Sequence, residues 1–394
     1  MPNVTLFAQI MQSLDRGAFS KLVNKHDTDK HNKGITSWTH LVTMLFCQFS
    51  KLGSLRDVCN GLKSASGNLN HLGVEKAPSK SSLCYINKTR DWQLFRDYYF
   101  KMMGKLTSMG KFHQTRFRVK SKILLLDSTT ISLCLSLFDW AKFRKKKGAI
   151  KLHTLLDYEG CLPVFMQMTD GRPHDSTVAK ELSLPADAVV VADRAYVDFP
   201  TLYRWHREKS YFVVRLKSSI QFTRQDEREL PEGRHEHILV DEYITLSQPK
   251  TRQKYPNKLR RVVVYDQENE QTIELITNQF TWTANTIGEL YKARWEIEVF
   301  FKEIKQLLKI KSFLGTSTNA VLVQIWTAML TILILKYLKA CASYNWCLSN
   351  MVAFLRLNLF VKFDLRKLLN DPFKPPDPCS KNTPVQISLF DWGD

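Results

Sequence analysis

The sequence lacks the cysteine pattern of a disulfide-bonded protein. Its cysteines form no CxxC pair and follow no regular spacing along a chain of 394 residues. Small secreted domains, by contrast, usually carry closely and regularly spaced cysteines that form disulfides. We therefore expect reduced thiols in a cytosolic protein at all eight positions: Cys47, Cys59, Cys84, Cys134, Cys161, Cys341, Cys347 and Cys379.

We also expect neither a targeting segment nor a membrane-spanning segment. The first residues, MPNVTLFAQIMQSLDR, have no basic region followed by an apolar stretch and a small-residue cleavage site. The stretch between Lys311 and Lys336 carries no charge, but its apolar part, from Ala320 to Leu335, is shorter than the roughly 20 residues that a membrane span needs. We predict a buried core helix there, no membrane partner and no internal repeat.

Acidic residues are scarce relative to basic ones. The chain has 57 Lys and Arg against 38 Asp and Glu, a net charge of +19 and a pI near 9.5. Residues 1–120 hold 19 basic and 7 acidic side chains, so most of the excess lies in the first third. Such a charge favours a polyanionic partner, and nucleic acid is the leading candidate. The length predicts two or three domains.

Residues 1–120 show helical periodicity and predict a small, basic, helical DNA-binding domain. Within it, PSKSSLCYINKTR starts with a Pro-Ser pair that favours a helix start and places Lys80, Lys88 and Arg90 around apolar side chains. This segment predicts a helix-turn-helix-like reader of DNA. A basic helix exposed to solvent, without contact to a DNA groove, is an equally good interpretation.

Strand-like apolar runs begin after residue 120. KILLLD, IKLHTLLDY and CLPVFMQMTD, with turn signals between them, predict an antiparallel meander. AVVVAD and YFVVRLK follow, with a helical segment between them, and together these elements indicate an α/β layer. We assign 121–220 and 284–345 to this α/β core.

Residues 221–283 are rich in charge and turns but contain the runs HILVDEYITL, LRRVVVY and TIELITN, which predict a β-rich insertion. A helix is expected to begin at a capping box formed by Thr286 and Glu289 and to continue to Ile310. Residues 346–394 form a C-terminal segment with a proline-rich stretch, DPFKPPDP, and a final apolar ISLFDW. We expect this tail to be poorly ordered or docked on a neighbour.

The predicted helix carries a stripe of chemically active side chains. Tyr291, Arg294, Glu298 and Lys305 are separated by three, four and seven residues, which places them along one helix face. At about 100° per residue, Glu296 lies about 160° and Glu303 about 140° from Glu298, whereas Lys305 returns to within about 20°. Of these glutamates, only Glu298 shares the stripe with the cations. Arg294 suits a bidentate phosphate contact, Lys305 a point charge and Tyr291 a hydroxyl donor. An exposed helix with ion pairs is the alternative.

Two upstream aspartates complete a candidate metal site. Asp127 ends KILLLD and Asp193 ends AVVVAD, so each lies where an apolar strand leaves a sheet. Mg²⁺ prefers hard oxygen ligands, and phosphoryl transfer on nucleic acids commonly uses two ions about 3.5 to 4 Å apart. Asp127, Asp193 and Glu298 come from three elements that can converge on such a pair of ions.

These residues carry a family resemblance. DSTT at Asp127, ADRAYVD at Asp193 and Y-x2-R-x3-E-x6-K from Tyr291 to Lys305 resemble the DDE transposases of bacterial insertion sequences, in particular the IS-four (YREK) family. The resemblance spans roughly residues 122–335. It implies an RNase H-like core, a mixed sheet flanked by helices, in which the three acids bind two Mg²⁺ ions, with Mn²⁺ as a substitute. Tyr291, Arg294 and Lys305 then contact the terminal phosphate of DNA.

The resemblance also implies cut-and-paste transposition. Water attack frees a 3′-hydroxyl, a hairpin forms and is reopened, and the 3′-ends are joined to target DNA. The expected partners are double-stranded DNA, as terminal inverted repeats and target, and a second copy of the chain in a synaptic complex. The expected location is the bacterial cytoplasm, at the nucleoid. The alternatives are an RNase H-like nuclease without strand transfer and a non-catalytic DNA-binding protein derived from a transposase.

Further candidates surround this core. FRKKKGAIKLH predicts a basic hairpin beside Asp127 that contacts the DNA backbone through Arg144, Lys145, Lys146, Lys147 and Lys151, with a solvated turn as the alternative. Trp282 is a loose candidate for stacking on a flipped base, or else an apolar anchor at the end of the insertion. We reject a mononuclear metal site or acid–base pair at His153 and His174-Asp175, since two-ion chemistry needs no imidazole base.

Overall fold

The structure is a computed structural model. It describes residues 3–32, 34–65, 67–112, 117, 119–134, 136–138, 140–144, 147–171, 174–230, 237–310 and 312–373, with the backbone alone for residues 142–144 and 147. The proline-rich stretch after residue 373 and the final ISLFDW therefore lie outside the described residues.

Helices occupy the first third of the chain, as the periodicity predicts. Side-chain oxygens of Thr5, Asp15, Thr36, Ser54 and Ser79 accept hydrogen bonds from backbone amides at the starts of the first five helices. Such N-caps satisfy amides that have no partner inside a helix, and they fix where each helix begins. The helices are α1 (Leu6–Gln12), α2 (Arg16–Lys25), α3 (Ser37–Ser50), α4 (Leu55–Ser64), α5 (Lys80–Thr89) and α6 (Gln93–Ser108).

One large mixed sheet follows the helices. Its strands are β1 (Ile123–Leu133), β2 (Lys142–Arg144), β3 (Lys147–Asp157), β4 (Leu162–Asp170), β5 (Val189–Ala192), β6 (Tyr211–Arg215), β7 (Phe222–Glu227), β8 (Ile238–Leu246), β9 (Leu259–Asp266) and β10 (Gln271–Thr277). The order across the sheet is β2-β3-β1-β5-β6-β10-β9-β8-β7, with β4 also paired to β3. The central strands β1, β5 and β6 are parallel, and the predicted meander of β1, β3 and β4 is antiparallel, as expected.

The predicted insertion strands continue this sheet. β10 pairs antiparallel with β6, and β9, β8 and β7 extend the sheet outward from it. The sequence signals missed β7 because its residues, FTRQDE, are largely exposed and charged and show no apolar run. The short helix α9 (Pro249–Lys254) between β8 and β9 was missed as well.

Helices cover both faces of the sheet. One face buries Leu124, Leu126 and Val190 beneath α7 (Asp175–Ala179), a 3₁₀ turn (Arg194–Tyr196) and α8 (Phe199–Arg207). The other face buries Ile123, Leu125 and residues of α10 (Ala284–Ala293), α11 (Trp295–Leu307) and α12 (Thr318–Cys341). Period-two alternation along β1 explains this division, because successive side chains of a strand point to opposite faces. The architecture is the α/β class that was predicted, a mixed sheet flanked by helices.

The helix expected from Thr286 to Ile310 is two helices. It begins earlier, because Thr283 caps α10 by accepting a hydrogen bond from the Thr286 amide at 3.2 Å. It is interrupted at Arg294, where the Arg294 amide bonds to Tyr291 and the Ile297 amide bonds to Arg294, both across three residues instead of four. These shorter bonds tighten the chain locally, as in a 3₁₀ turn. Arg294 therefore lies at the junction of the two helices.

The predicted core helix is α12. It is long and apolar enough to span a membrane by composition, but 83% of its most apolar window is buried inside the protein. The helices α3, α5 and α6 pack against it, as does α13 (Leu348–Leu357), and α14 (Leu365–Asn370) follows. The N-terminal helices therefore share one hydrophobic core with the helices that cover the sheet. The division into domains stays a prediction.

Candidate active site

Asp127 and Asp193 lie side by side where the parallel pairing of β1 and β5 ends. Leu126 of β1 pairs with Ala192 of β5, and each aspartate is the next residue in its strand direction. The prediction that Asp127 ends its strand is wrong, because β3 continues to pair with β1 as far as Leu133. Asp127 nevertheless lies where β5 stops, so its carboxylate has an open side.

The side chain of Arg294 joins α11 to β1. Its Nη2 donates to Oε1 of Glu298 at 2.8 Å, and its Nη1 donates to Oδ2 of Asp127 at 3.4 Å. Nε of Arg294 is buried and has no hydrogen-bond partner among the described residues. One cation thus lies between two candidate metal ligands, and its own hydrogen bonding is incomplete.

The pKa of Asp127 shows that Glu298 and Asp193 lie close to its carboxylate. Burial is the largest cause of its raised pKa, which lies at about 6; the Ser128 amide and Arg294 oppose the shift, and Glu298 and Asp193 add to it. The Ser128 amide donates to Oδ1 at 2.8 Å. Carboxylates that raise one another's pKa are the usual environment of a cation site or of a shared proton.

Tyr291 contacts the second aspartate. Its hydroxyl donates to Oδ1 of Asp193 at 3.3 Å. Burial raises the pKa of Tyr291, so the hydroxyl remains a donor at neutral pH. The ring also lies against Arg294, whose guanidinium carbon is 5.7 Å from the ring centroid. Tyr291, Arg294 and Asp193 therefore form one group at the α10–α11 junction.

A cavity of about 450 Å³ opens beside Asp127 and Glu298. Lys305 lines it and donates to Oγ1 of Thr129 at 2.5 Å, which ties α11 to β1 two residues beyond Asp127. Lys302 and Gln306, which were not predicted as site residues, are exposed and line the same cavity. Their spacing from Glu298, four residues for Lys302 and eight for Gln306, was a sequence signal for this position.

The three candidate acids are not gathered into one closed cage in the described structure. Within the described parts of the chain, no three His, Cys, Asp or Glu side chains stand close enough to hold a metal ion. Asp127 and Glu298 nevertheless converge on the Arg294 guanidinium, so both carboxylates already face one positive charge. Oxygen donors arranged around a cation are what Mg²⁺ and Mn²⁺ require.

Glu296 and Glu303, two other glutamates of α11, do not face Asp127. Glu303 lies 3.8 Å from Nζ of Lys336 on α12, on the side of the helix away from Asp127. Glu296 and Glu303 both act on the pKa of Cys161, which burial raises, and so lie near it. The predicted angular separation of Glu298 from these two residues holds in the structure.

The basic hairpin is not next to Asp127. β2 pairs with β3 at the far end of β1, near Leu133, and the side chain of Lys151 emerges on the opposite face of the sheet, 3.2 Å from Asp175. Register explains this correction, because Lys151 pairs with Thr130 and shares its face. The side chains of Arg144 and Lys147, and all of Lys145 and Lys146, lie outside the described part of the structure.

The N-terminal candidates divide into exposed and buried residues. Lys80 and Lys88 lie on the exposed face of α5, together with Tyr85, which is 67% exposed. Arg90 is buried, pairs with Asp29 at 3.3 Å and donates to the carbonyls of Ile35 and Thr36. Arg90 is therefore a structural cation whose side chain is unavailable to DNA.

Two tryptophans differ in exposure, and only Trp282 was considered from the sequence. Trp282 is partly buried and packs against Tyr211 with ring centroids 6.1 Å apart, while its carbonyl accepts a hydrogen bond from buried Arg260. These contacts fit the apolar anchor that was the alternative. Trp295, which sequence reasoning missed, follows Arg294 directly and is 61% exposed. Its only sequence signal was an aromatic residue inside the charged stripe.

Comparison with known proteins assigns the chain to a family. The Transposase DDE domain matches residues 119–334, more than half of the chain, and a domain of unknown function matches residues 3–75. The chain belongs to the DDE transposase family, whose members are enzymes that act on DNA. All three candidate acids lie within the matched region. A domain of this family implies the use of a divalent metal ion, usually Mg²⁺ or Mn²⁺.

Within that family, the chain resembles transposases of bacterial insertion sequences. It is 31% identical over 57% of its length to a Geobacillus stearothermophilus protein named as the transposase for insertion sequence element IS5377. It is also 31% identical to a Sinorhizobium fredii transposase and 26% identical to a Synechocystis transposase for insertion sequence element IS4SA, each over 66% of its length. The matches span 59% of the Geobacillus protein and 71% of each of the other two.

A solved structure shows a weaker likeness. The piggyBac transposase in a synaptic complex with hairpin DNA superposes with a TM-score of 0.45 at 12% identity, over 95% of this chain and 84% of that one. The assignment to the DDE family therefore comes from the domain match and from the sequence relatives.

Proposed function

We propose that this protein is the transposase of a bacterial insertion sequence, which cleaves DNA at the ends of its element and joins the freed 3′-ends to target DNA. The observation that carries the proposal is the convergence of Asp127 and Glu298 on one cation, with Asp193 beside Asp127 at the adjacent strand end.

Asp127, Asp193 and Glu298 would hold the divalent metal, as two Mg²⁺ ions or as Mn²⁺ in their place. When bound, the metal supplies charge stabilisation for the attacking and leaving oxygens of phosphodiester chemistry. The chain's own contribution is to place the three carboxylates on rigid elements. Asp127 and Asp193 follow paired residues of two buried parallel strands, and Glu298 projects from a helix that is bonded to β1 through Lys305.

The cations around the cavity would bind the DNA backbone. Lys302 and Lys305 line the cavity beside Glu298, and Arg294 at the α10–α11 junction bonds to Asp127 and Glu298, two of the acids that line it. Arg294 offers a planar pair of donors to a phosphate, and the lysines offer point charges. Tyr291 donates its single hydroxyl proton to Asp193 in the DNA-free protein, and it would donate that proton to the terminal phosphate instead when DNA binds.

The exposed face of α5 would contribute a second contact to DNA. Lys80 and Lys88 flank Tyr85 on this face, and α5 lies in the most basic third of the chain. The expected substrate is double-stranded DNA with terminal inverted repeats. Two ends would be synapsed by a homodimer in the bacterial cytoplasm, with a hairpin intermediate as implied by resemblance to the IS-four (YREK) group.

A strand-transfer assay tests the proposal. Purified protein, Mg²⁺, labelled DNA from the ends of the element and a target plasmid should give cleaved ends and joined products. Asp193→Asn should abolish both reactions and leave DNA binding intact, because it removes one carboxylate charge without changing the shape of the side chain. Cleavage without joining would support the nuclease alternative, and binding without cleavage by the unaltered chain would support the non-catalytic one.

A further inference from the structure

A second polar group lies directly behind Asp127, on the other face of the sheet. Ser128 follows Asp127 and also lines the cavity, but its hydroxyl lies on the other face of the sheet, because neighbouring strand residues face opposite sides. Its hydroxyl donates to Oδ1 of Asp175 at 2.8 Å, and Nζ of Lys151 lies 3.2 Å from the same oxygen. Asp175 is the first residue of α7. One carboxylate oxygen therefore joins α7 to both β1 and β3.

This group is well shielded from solvent. The side chains of Asp175 and Lys151 are 21% and 18% exposed, and that of His153 is fully buried. Nδ1 of His153 lies 3.6 Å from Asp175, and its Nε2 is 3.0 Å from Oγ1 of Thr169. Burial lowers the pKa of His153 to about 4, so Lys151 is the cation that balances Asp175 at neutral pH.

The helix that carries Asp175 is held at its other end too. Arg204 of α8 donates to the carbonyls of Ala179, Lys180 and Leu182, at and just beyond the end of α7. α7 also packs against the 3₁₀ turn Arg194–Tyr196, which directly follows Asp193. Burial, followed by the charges of Asp127 and Asp175, raises the pKa of Tyr196 in that turn. α7 therefore contacts the chain immediately after each candidate aspartate.

The contact between Asp175 and β1 lies where β1 loses one of its two neighbouring strands. Parallel pairing between β1 and β5 ends at Leu126 and Ala192, so beyond this point β1 is paired only with β3. Asp127 is the first residue beyond the last paired position. Asp175 bonds to the next residue along, Ser128, and also contacts Lys151 and His153 on β3. It therefore restrains β1 from the face of the sheet at the point where the pairing with β5 has ended.

We infer that Asp175 is a positioning residue for the candidate metal site: through Ser128 and through the turn after Asp193, it fixes the spacing of the two aspartates from behind the sheet. The inference rests on the proposed function. Residues that orient metal ligands from outside the coordination sphere typically change metal affinity by about 10- to 100-fold when they are altered. Lys151, which was predicted as a DNA contact, serves in this account as the counter-ion of Asp175.

Binding of Mn²⁺ to the full-length protein without DNA, followed by electron paramagnetic resonance, tests the inference independently of activity. Asp175→Ala should weaken Mn²⁺ binding by about tenfold or more. Asp175→Asn, which keeps an oxygen that accepts from Ser128, should recover part of the loss. Glu181→Gln is the matched control, because Glu181 is an exposed acid just after α7 that bonds only to Gln167 in the described structure, and its Mn²⁺ affinity should equal that of the unaltered chain.

Each outcome decides between positioning and simple stabilisation. If Asp175→Ala lowers the melting temperature but leaves the Mn²⁺ affinity of the folded protein unchanged, the positioning role is overturned. If that variant does not fold, Ser128→Ala decides, since it deletes one hydroxyl and keeps the Asp175–Lys151 pair; unchanged Mn²⁺ affinity there also overturns the inference. An unaltered chain that neither binds Mn²⁺ through Asp127 nor cleaves DNA would instead overturn the proposed function, and the inference with it.

Discussion

Arg294 and Glu298 form an ion pair with Nη2 and Oε1 2.8 Å apart, and the same guanidinium reaches Asp127. The cation therefore lies between carboxylates that would also hold a metal. Replacing it by Gln should strengthen Mn²⁺ binding to the DNA-free protein by roughly tenfold, about 1.4 kcal/mol, because a competing positive charge is lost. The same change should weaken binding to DNA ends. Titration with Mn²⁺ and with a labelled end fragment measures the two effects, and weaker binding of both would contradict this account.

Asp127 should make the metal-free protein less stable as the pH rises. Its pKa is raised to about 6, mainly by burial, so the folded state keeps its proton to a higher pH than the unfolded chain does. Stability is therefore lost between about pH 4 and pH 6 as the carboxyl ionises. Asp127→Asn should raise the free energy of unfolding at pH 7 by up to about 3 kcal/mol, and the gain should vanish near pH 4. Denaturant unfolding at both pH values, with EDTA present, measures the difference.

Lys302 and Lys305 offer a matched pair of cavity lysines. Replacing either by Ala should weaken binding to DNA ends and reduce the salt slope by about one unit, since each would neutralise one phosphate. Only Lys305→Ala should also destabilise the protein, by about 1 kcal/mol, because Lys305 bonds to Thr129 on β1. Fluorescence anisotropy at several salt concentrations, together with thermal melts, separates the two residues. Equal melting temperatures would count against the role of the Thr129 bond.

Arg90 and Lys88 separate structure from DNA contact in the N-terminal helices. Arg90→Ala should lower the free energy of unfolding by about 3 kcal/mol, because it leaves Asp29 and two carbonyls without their buried cation. Lys88→Ala should change stability by no more than about 0.5 kcal/mol and weaken DNA binding. Denaturant unfolding and DNA titration of both variants give the comparison. A stable Arg90→Ala protein with weakened DNA affinity would restore the original prediction for Arg90.

Trp295 and Trp282 allow the same distinction for aromatic residues. Trp295→Ala should leave the melting temperature unchanged and weaken binding to DNA with unpaired terminal bases, because an exposed ring can stack on a base at about 1–3 kcal/mol. Trp282→Ala should cost about 3 kcal/mol of stability, since its ring packs against Tyr211. End fragments with and without unpaired bases provide the binding measurement. The opposite pattern would return the stacking role to Trp282.

Local patterns predicted most of the strands near the site. KILLLD, AVVVAD and YFVVRLK became the parallel centre of the sheet, because buried parallel strands are continuous apolar runs that are easily read. The length of β1 was not predictable from its own residues. Its second half carries polar side chains and is held by β3, whose paired residues, from Gly148 to His153, lie in a separate strand further along the chain.

The sequence predicted which residues belong to the candidate site better than it predicted how their side chains are arranged. Helical spacing correctly separated Glu298 from Glu303, since that relation depends only on the helix repeat within α11. The break between α10 and α11 at Arg294 could not be predicted from the spacing of the stripe residues, because it depends on tertiary packing. Likewise, the face on which Lys151 emerges depends on strand register, and the burial of Arg90 depends on Asp29, sixty-one residues away.

The end of α11 is held by cations from both halves of the chain. Nζ of Lys51 donates to the carbonyl of Gln306 at 2.6 Å, and Nη2 of Arg356 donates to that of Leu307 at 3.1 Å. A nascent chain that has not yet reached residue 356 therefore lacks one of the two clamps on the helix that carries Glu298. We expect the candidate site to become complete late in synthesis, because the second of these two bonds forms only after residue 356 has emerged from the ribosome.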